Sequence, residues 1–199
     1  MLPSAMFPPT AWSERLSFLL AFARSPLRTG AVTPSTRALA QLITRDITPT
    51  MMPLIEFGPG TGVFTRALLA AGLAQGDLTL IEIDPTMARR LQKELPGVRV
   101  LLSDVADETL AKALPQAGAI VSGLPILTFG RARQTATMRN AFATLRPGGV
   151  FLQFTYGPRC PVPNDVLEEL GLEARFVGST LRNLPPASVY RITRHGEGP

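Results

Sequence analysis

Three glycines at alternate positions, Gly58, Gly60 and Gly62, follow a short apolar run that ends in Glu56. A helix-like apolar pattern comes next, so the order predicts a strand, a tight turn and a helix. Glycine adopts backbone angles closed to other residues, and its lack of a side chain lets a ligand lie against the main chain. A second apolar run reaches Glu82, where a carboxylate could accept both hydroxyls of a ribose. The two segments together indicate a nucleoside-binding site.

The glycine spacing separates two kinds of nucleotide site. The dinucleotide fingerprint is Gly-x-Gly-x-x-Gly, and its third glycine, aligned on Gly58 and Gly60, would fall on Val63. Residues 56–62 instead read Glu-x-Gly-x-Gly-x-Gly. This pattern, with an acid at the end of the next apolar run, resembles the class I methyltransferases that use S-adenosylmethionine (SAM).

The resemblance to class I methyltransferases implies a role for each part of the site. The glycine loop would pass under the methionine end of SAM, and Glu82 would bind the ribose. Asp104 would accept from the adenine amino group or, alternatively, cap a helix, and Glu56 would orient the loop or meet the SAM ammonium through water. The predicted cofactor-binding residues are Glu56, Gly58, Gly60, Thr61, Gly62, Glu82, Ile83, Asp104, Val105, Ser122 and Leu124.

Strand and helix patterns alternate along the chain and predict a mostly parallel sheet with helices on both faces. Ligands of such sheets bind beyond the carboxyl ends of the strands, where the predicted site residues fall. Two late runs, residues 173–180 and 189–193, predict a closing antiparallel hairpin. We therefore expect a Rossmann-like α/β methyltransferase domain over residues 31–199, preceded by an arm and an amphipathic helix over residues 1–30.

Composition limits the possible environments. The single cysteine, Cys160, cannot form an internal disulfide and fits a reducing cytoplasm. No apolar stretch reaches the roughly 20 residues that span a bilayer, and no signal peptide is evident. The 20 basic residues exceed the 15 acidic ones, so a polyanion such as nucleic acid or an anionic membrane would attract the chain. No cluster has metal-ligand spacing, so no metal is expected.

Apolar residues near the amino terminus predict an amphipathic helix over residues 10–24. Tryptophan and phenylalanine beside arginines suit a membrane interface. A helix that packs across the sheet or covers the cofactor is the alternative. The predicted membrane-contact residues are Trp12, Arg15, Leu16, Phe18, Leu19, Phe22 and Arg24.

The segment after the fourth predicted strand bears on the methyl acceptor. DNA and rRNA adenine N-methyltransferases carry Asn or Asp, then x or Pro, then Pro, then an aromatic residue, which together bind and stack the base. This chain has Ser-Gly-Leu-Pro-Ile over residues 122–126, without the acid or amide and without the aromatic ring. No nucleic-acid partner is therefore expected. An adenine methyltransferase, favoured by Ile-Glu-Ile-Asp at residues 81–84, and a non-catalytic membrane module with a SAM pocket stay as alternatives.

A second resemblance extends over nearly the whole chain. The segments that carry it are residues 30–35, 56–65, 123–125, 153–158 (Gln-Phe-Thr-Tyr-Gly-Pro) and 183–191 (Asn-Leu-Pro-Pro-Ala-Ser-Val-Tyr-Arg). They resemble bacterial phospholipid N-methyltransferases. The resemblance implies SAM-dependent methylation of phosphatidylethanolamine and its methylated intermediates towards phosphatidylcholine. It also implies a cytoplasmic enzyme bound peripherally to the inner face of the cytoplasmic membrane, with a phospholipid substrate, an anionic membrane surface as partner and no obligate protein partner.

Methyl transfer from a sulfonium needs a neutral, in-line nucleophile, and positioning can supply much of its acceleration. The substrate amine is mostly protonated near neutral pH, so a group must take its proton. Tyr156, after the fifth predicted strand, is the nearest candidate, although water could serve and Tyr156 could instead hold the phosphate or line the cofactor pocket. Asn183 and Arg191 are predicted headgroup contacts, with packing and turn formation in the hairpin as the alternative.

Overall fold

A computed structural model describes residues 34–181 and 186–197. In this part of the chain, seven strands form one sheet in the order β3-β2-β1-β4-β5-β7-β6. Strands β1 to β5 are parallel, and β7 runs antiparallel to both β5 and β6. The strands are β1 (Leu54–Phe57), β2 (Leu78–Glu82), β3 (Arg99–Leu102), β4 (Ala117–Ser122), β5 (Leu145–Thr155), β6 (Leu172–Thr180) and β7 (Ala187–Arg194). The predicted Rossmann-like fold with a closing antiparallel hairpin is confirmed.

The described residues contain six α-helices, of which the first precedes β1 and the others lie between strands. They are α1 (Pro34–Thr44), α2 (Val63–Ala70), α3 (Pro85–Glu94), α4 (Leu110–Ala113), α5 (Arg131–Thr144) and α6 (Asn164–Glu169). Helix α3 illustrates how local sequence sets a boundary. Asp84 caps it by accepting from the backbone N–H groups of Thr86 and Met87, and Pro85 takes the first helical position, where its missing N–H costs no intrahelical bond. No helix among these is long and apolar enough to cross a membrane.

The central strands are buried on both faces, as parallel strands between two helical layers must be. Every residue of β1, β2 and β4 is buried. Along β1, Ile55 and Phe57 enter a core with side chains of α4, α5 and α6. Leu54 enters the opposite core with side chains of α1, α2 and α3. Because side chains alternate along a strand, Glu56 projects into the second of these layers.

The closing hairpin is attached to the middle of the chain through Arg194, near the end of β7. Its Nη2 donates to the carbonyl oxygens of Phe142 and Leu145 at 2.5 and 2.9 Å, and its Nη1 donates to that of Arg146 at 3.2 Å. The C-terminal end of a helix exposes carbonyl groups without intrahelical partners. The guanidinium of Arg194 therefore satisfies the end of α5 and fixes β7 beside it.

Two features differ from the sequence prediction. The sequence Arg-Pro-Gly-Gly at residues 146–149 predicts a turn before β5. In the structure these residues lie inside the bounds of β5 as an irregularity, because Leu145 pairs with Ala117 while Val150 pairs with Ala119. Helix α6 was not predicted, since six residues are too few to establish a clear periodicity. The predicted amino-terminal helix and Asn183 lie outside the described residues.

Candidate active site

The loop between β1 and α2 depends on glycine. Gly58, Gly60 and Gly62 have φ angles of 65°, 54° and 78°, in the left-handed region that other L-residues enter only with strain. A Cβ on Gly58 would also come within 2.6 Å of the Leu124 side chain. The glycine loop is therefore packed against the segment that follows β4.

Glu82 joins the glycine loop to the end of β2. Its Oε2 accepts from the backbone N–H of Gly60 at 2.9 Å, and its Oε1 accepts from that of Asp84 at 2.9 Å. Only 6% of the residue is exposed. A carboxylate offers about four acceptor positions, so two remain for the hydroxyls of a ribose.

Glu56 lies fully buried beneath the glycine loop. The Thr65 hydroxyl on α2 donates to its Oε2 at 2.6 Å, and Oε1 has no hydrogen-bond partner in the described structure. Burial raises the pKa of Glu56 from 4.5 to about 7, against the opposing effect of the Thr65 hydrogen bonds. An unpartnered buried acceptor needs an explanation, and a cationic ligand above it would supply one.

Arg66 holds the glycine loop from the side of α2. Its Nη1 donates to the carbonyl oxygens of Thr61 and Gly62 at 2.5 and 3.0 Å, while its Nη2 donates to Glu94 at 2.7 Å. Thr61 is itself buried. The loop is consequently held by Arg66 on one side and by Glu82 on another.

Asp104 follows β3 and has two partners. Its Oδ1 accepts from the backbone N–H of Ala106 at 2.9 Å in a local turn. The predicted alternative of a helix cap at Asp104 is wrong, because α4 begins at Leu110 and its N-cap is Thr109. The Arg133 guanidinium on α5 also donates to both Asp104 oxygens, at 2.8 and 2.9 Å, and lies 4.7 Å from the centre of the Phe129 ring. Sequence reasoning missed Arg133, because it lies 29 residues away on another element.

Exposed apolar side chains lie between Glu82 and Asp104. Ile83 is 58% exposed and Leu102 is 60% exposed, and Leu102 is adjacent to Glu82 in the parallel register. The following Val105 is buried. An apolar surface between two carboxylates fits a nucleoside whose base lies on the surface and whose polar edges meet the acids.

The segment after β4 packs against the glycine loop. The backbone N–H of Gly123 donates to the carbonyl oxygen of Phe57 at 2.8 Å. A Cβ on Gly123 would come within 2.6 Å of the Gly58 carbonyl oxygen. Ser122 is fully buried, and its hydroxyl accepts from the Leu124 N–H at 3.3 Å. Ser122 and Leu124 therefore form the wall of the site beside the glycine loop.

Gln153 on β5 supports this wall and was not assigned a role from sequence. Its Nε2 donates to the carbonyl oxygen of Leu124 at 2.9 Å, and its buried Oε1 has no partner in the described structure. It is paired in register with Ser122 and with Tyr190 of β7. A glutamine inside the apolar run of residues 150–154 was the available signal.

The predicted catalytic and headgroup residues occupy different places. Tyr156 follows β5, and its ring lies edge-on to Phe154 at 5.4 Å, which in turn contacts Phe64 of α2 at 5.7 Å. Arg191 lies on β7 in a cleft with Arg45 and Arg175. The structure therefore does not bring Arg191 to the glycine loop. The roles predicted for Tyr156 and Arg191 stay predictions, as do those of residues 12–24 and Asn183 outside the described residues.

Residues 54–149, which contain the glycine loop, Glu82, Asp104 and the β4 wall, match the methyltransferase domain family. With this match, the fold and the site define the chain as a class I SAM-dependent methyltransferase. Its cofactor is SAM. The left-handed glycines, the free acceptor positions on Glu82 and the unpartnered Glu56 oxygen all fit that cofactor.

The relatives refine this class. The chain is 29% identical to an ornithine lipid N-methyltransferase of Singulisphaera acidiphila over 87% of this chain and 92% of that protein. It is 33% identical to a ribosomal RNA small subunit methyltransferase A of Parabacteroides distasonis, but over only 37% of this chain and 27% of that protein. Thus a lipid-methylating relative matches along most of its length, whereas this rRNA-methylating relative matches only in part.

Solved structures share the fold at low identity. A TehB-like SAM-dependent methyltransferase of Corynebacterium glutamicum has a TM-score of 0.64 and 17% identity over 89% of this chain and 97% of that chain. The glycopeptide N-methyltransferase MtfA in complex with SAM has a TM-score of 0.59 and 15% identity over 82% of this chain and 99% of that chain. These similarities support the Rossmann-like architecture.

Proposed function

We propose that this enzyme transfers methyl groups from SAM to the primary amine of a membrane lipid, with phosphatidylethanolamine as substrate. The observation that carries the proposal is the match to an ornithine lipid N-methyltransferase over 87% of this chain. The segments 153–158 and 183–191, which resemble phospholipid N-methyltransferases, favour phosphatidylethanolamine within that class.

The β4 wall supports a lipid amine over an adenine. In the described structure, Ser122 is fully buried and bonded to the Leu124 N–H, and Pro125 and Ile126 follow without an aromatic ring. No side chain of this segment is therefore arranged to bind and stack a base. A flexible aliphatic amine needs no such platform.

The chemistry requires orientation more than acid–base catalysis. Bound SAM supplies an electrophilic methyl group on its sulfonium. Glu82 and the glycine loop hold the nucleoside and methionine ends, and the buried Glu56 lowers the cost of nearby positive charge. The acceptor amine must lose a proton before its lone pair can attack. We propose that this proton passes to water, either directly or through the Tyr156 hydroxyl, which would accept it while donating its own proton to the water.

We further propose that the amino-terminal segment brings the enzyme to its substrate. Its arginines would attract anionic headgroups by about 1 kcal/mol each, and its apolar side chains would add insertion energy. Binding would weaken as the share of zwitterionic lipid, the methylated product included, rises at the expense of anionic lipid. Vesicle flotation tests this, and equal binding to purely zwitterionic and to anionic vesicles would contradict it.

Radiolabelled SAM identifies the acceptor. The purified chain is incubated with vesicles of phosphatidylethanolamine, with vesicles of an ornithine lipid, or with RNA, and each fraction is extracted and counted. We expect label in methylated phosphatidylethanolamine. Label confined to the ornithine lipid would indicate that an ornithine lipid is the methyl acceptor, which is the second candidate and the one that the name of the relative favours. Label in RNA alone would overturn both.

A further inference from the structure

A basic cleft lies on the α1 side of the closing hairpin, away from the glycine loop. Its volume is about 300 Å³, and three arginines line it: Arg45, just after α1, Arg175 on β6 and Arg191 on β7. Asp46, Val177 and Thr193 complete much of the lining. Side chains of one helix end and two strands thus converge on a single basic site.

The positive charge of this cleft is only partly balanced. Arg45 has Asp46 at 3.2 Å, and Arg175 has Glu173 at 3.1 Å. The Arg191 side chain makes no hydrogen bond or ion pair with any described residue, although the residue is half-buried. Among the described residues, two carboxylates, those of Asp46 and Glu173, therefore pair with guanidinium groups of this three-arginine cleft.

The register of β6 and β7 makes this concentration of positive charge unfavourable. Arg175 and Arg191 are direct partners across β6 and β7, and like charges directly opposite each other destabilise a strand pair. A neighbouring glutamate reaches only Arg175. An anion placed between the three guanidinium groups would reduce the repulsion and supply the partner that the Arg191 side chain lacks among the described residues.

We propose that this cleft binds a phosphate group, as a monoester or diester, at a site separate from methyl transfer. Guanidinium groups bind phosphate oxygens in pairs with charge-assisted hydrogen bonds. Arg191 pairs with Leu152, three residues before Thr155 at the carboxyl end of β5, which is roughly 10 Å along the strand. Strand β7 also lies three places from β1, roughly 14 Å across the sheet. The proposal is independent of which amine accepts the methyl group.

Thermal unfolding with inorganic phosphate tests the site. The protein is saturated with S-adenosylhomocysteine, the demethylated product, so that the cofactor site is filled, and phosphate is compared with chloride at equal ionic strength. We expect phosphate to raise the Tm above the chloride value, since a ligand of the folded state stabilises it. In Arg191→Gln, phosphate affinity should fall by at least about tenfold, and the Tm at low salt should equal or exceed that of wild type because the like-charge pair is gone.

Controls keep the test decisive. Arg139→Gln removes a cation from α5 whose side chain is 62% exposed, and it should respond to phosphate as wild type does. Each variant must bind S-adenosylhomocysteine, which establishes that it is folded, and Arg175→Gln replaces Arg191→Gln if the latter fails that criterion. An equal Tm increase by phosphate in wild type and in the folded cleft variant would overturn the proposal.

Two further arms identify the source of the phosphate. Titration with sn-glycerol 3-phosphate measures binding of a free monoester, and flotation with phosphatidylglycerol against phosphatidylcholine vesicles measures binding of a lipid phosphate. Loss of glycerol phosphate binding alone in the cleft variant indicates a soluble ligand. Loss of phosphatidylglycerol binding indicates a lipid headgroup. Retention of both by the folded variant counts against the site, whether or not lipid methylation is found.

Discussion

The backbone N–H of Gly60 donates to Oε2 of Glu82 at 2.9 Å, which ties the loop after β1 to the end of β2. The other oxygen of the same carboxylate accepts from Asp84 at 2.9 Å. Glu82 is therefore fixed by two backbone groups while it retains acceptor capacity for a ligand. The Glu82 carboxylate is already oriented before a ligand binds. Binding therefore requires little further ordering of this side chain.

Glu82→Gln should weaken binding of S-adenosylhomocysteine by about tenfold or more. The amide NH₂ must face either the Gly60 or the Asp84 N–H, both of which are donors, and the charge-assisted bonds to ligand, about 1.5–3 kcal/mol each, are weakened. Calorimetric titration measures the change. Glu168→Gln, on the exposed face of α6, is the control, and equal affinities of the two variants would contradict the assigned role.

Gly123→Ala should reduce both stability and cofactor affinity. The added Cβ would meet the Gly58 carbonyl oxygen at 2.6 Å, and overpacking against backbone costs about 1–3 kcal/mol. The resulting shift would move the glycine loop away from the β4 wall. Gly76→Ala is the matched control because nothing lies within 4 Å of its added Cβ. Denaturant unfolding and titration should separate the two variants, and a Gly123→Ala protein indistinguishable from Gly76→Ala would refute the close packing.

Glu56 should make stability depend on pH. Its folded pKa of about 7 lies above the ordinary value of 4.5, so the folded state binds the proton more tightly than the unfolded state does. The associated stabilisation is fully present below pH 4.5 and is lost as the pH rises through about 7. The shift corresponds to about 3 kcal/mol as an order of magnitude.

Urea unfolding of wild type and Glu56→Gln between pH 5 and 8 measures this effect. The free energy of unfolding of wild type should fall relative to that of the variant as the pH rises, because glutamine does not titrate. Glu168→Gln should retain the wild-type slope. Parallel curves for wild type and Glu56→Gln would show that the buried carboxyl does not carry the pH dependence.

The Asp104–Arg133 pair should contribute little to stability. The two side chains are 33% and 37% exposed, so solvent screening limits their coupling to about 0–1 kcal/mol. A double-mutant cycle with Asp104→Asn and Arg133→Gln measures it by denaturant unfolding. A coupling well above this range would mean that the pair is a structural element of the fold.

The same variants distinguish two roles at the adenine end. If Asp104 contacts the base and Arg133 orients it, Asp104→Asn should weaken S-adenosylhomocysteine binding more than Arg133→Gln does. The comparison uses calorimetry on the folded variants. A larger loss in Arg133→Gln would assign the base contact to the arginine.

Local signals in the sequence sufficed to locate the glycine loop after β1 and Glu82 at the end of β2. Strand β1 ends directly before the glycine loop, and Asp84 caps α3 with its own side chain, because strand burial, glycine turns and helix caps are encoded within a few residues. The alternation of strands and helices also identified the fold class. The glycine loop and Glu82 followed from that alternation, because the carboxyl ends of parallel strands meet at one edge.

Contacts between distant segments could not be predicted from these local signals. The Asp104–Arg133 pair joins residues 29 positions apart, and Gln153 bonds to Leu124 across 29 positions. The insertion of β7 between β5 and β6 determines where Arg191 lies. Each of these depends on how elements pack in three dimensions, and no local periodicity records that packing.

The hydrogen bonds from the Arg194 guanidinium to three carbonyl oxygens constrain any exchange of the closing hairpin between homologous enzymes. A chimera that imports β6 and β7 without this guanidinium would leave the carbonyl groups of Phe142 and Leu145 without their donor and would detach the imported strands from the helix that precedes β5. Engineers who graft this region to alter acceptor range should therefore move the arginine and its three carbonyl partners together.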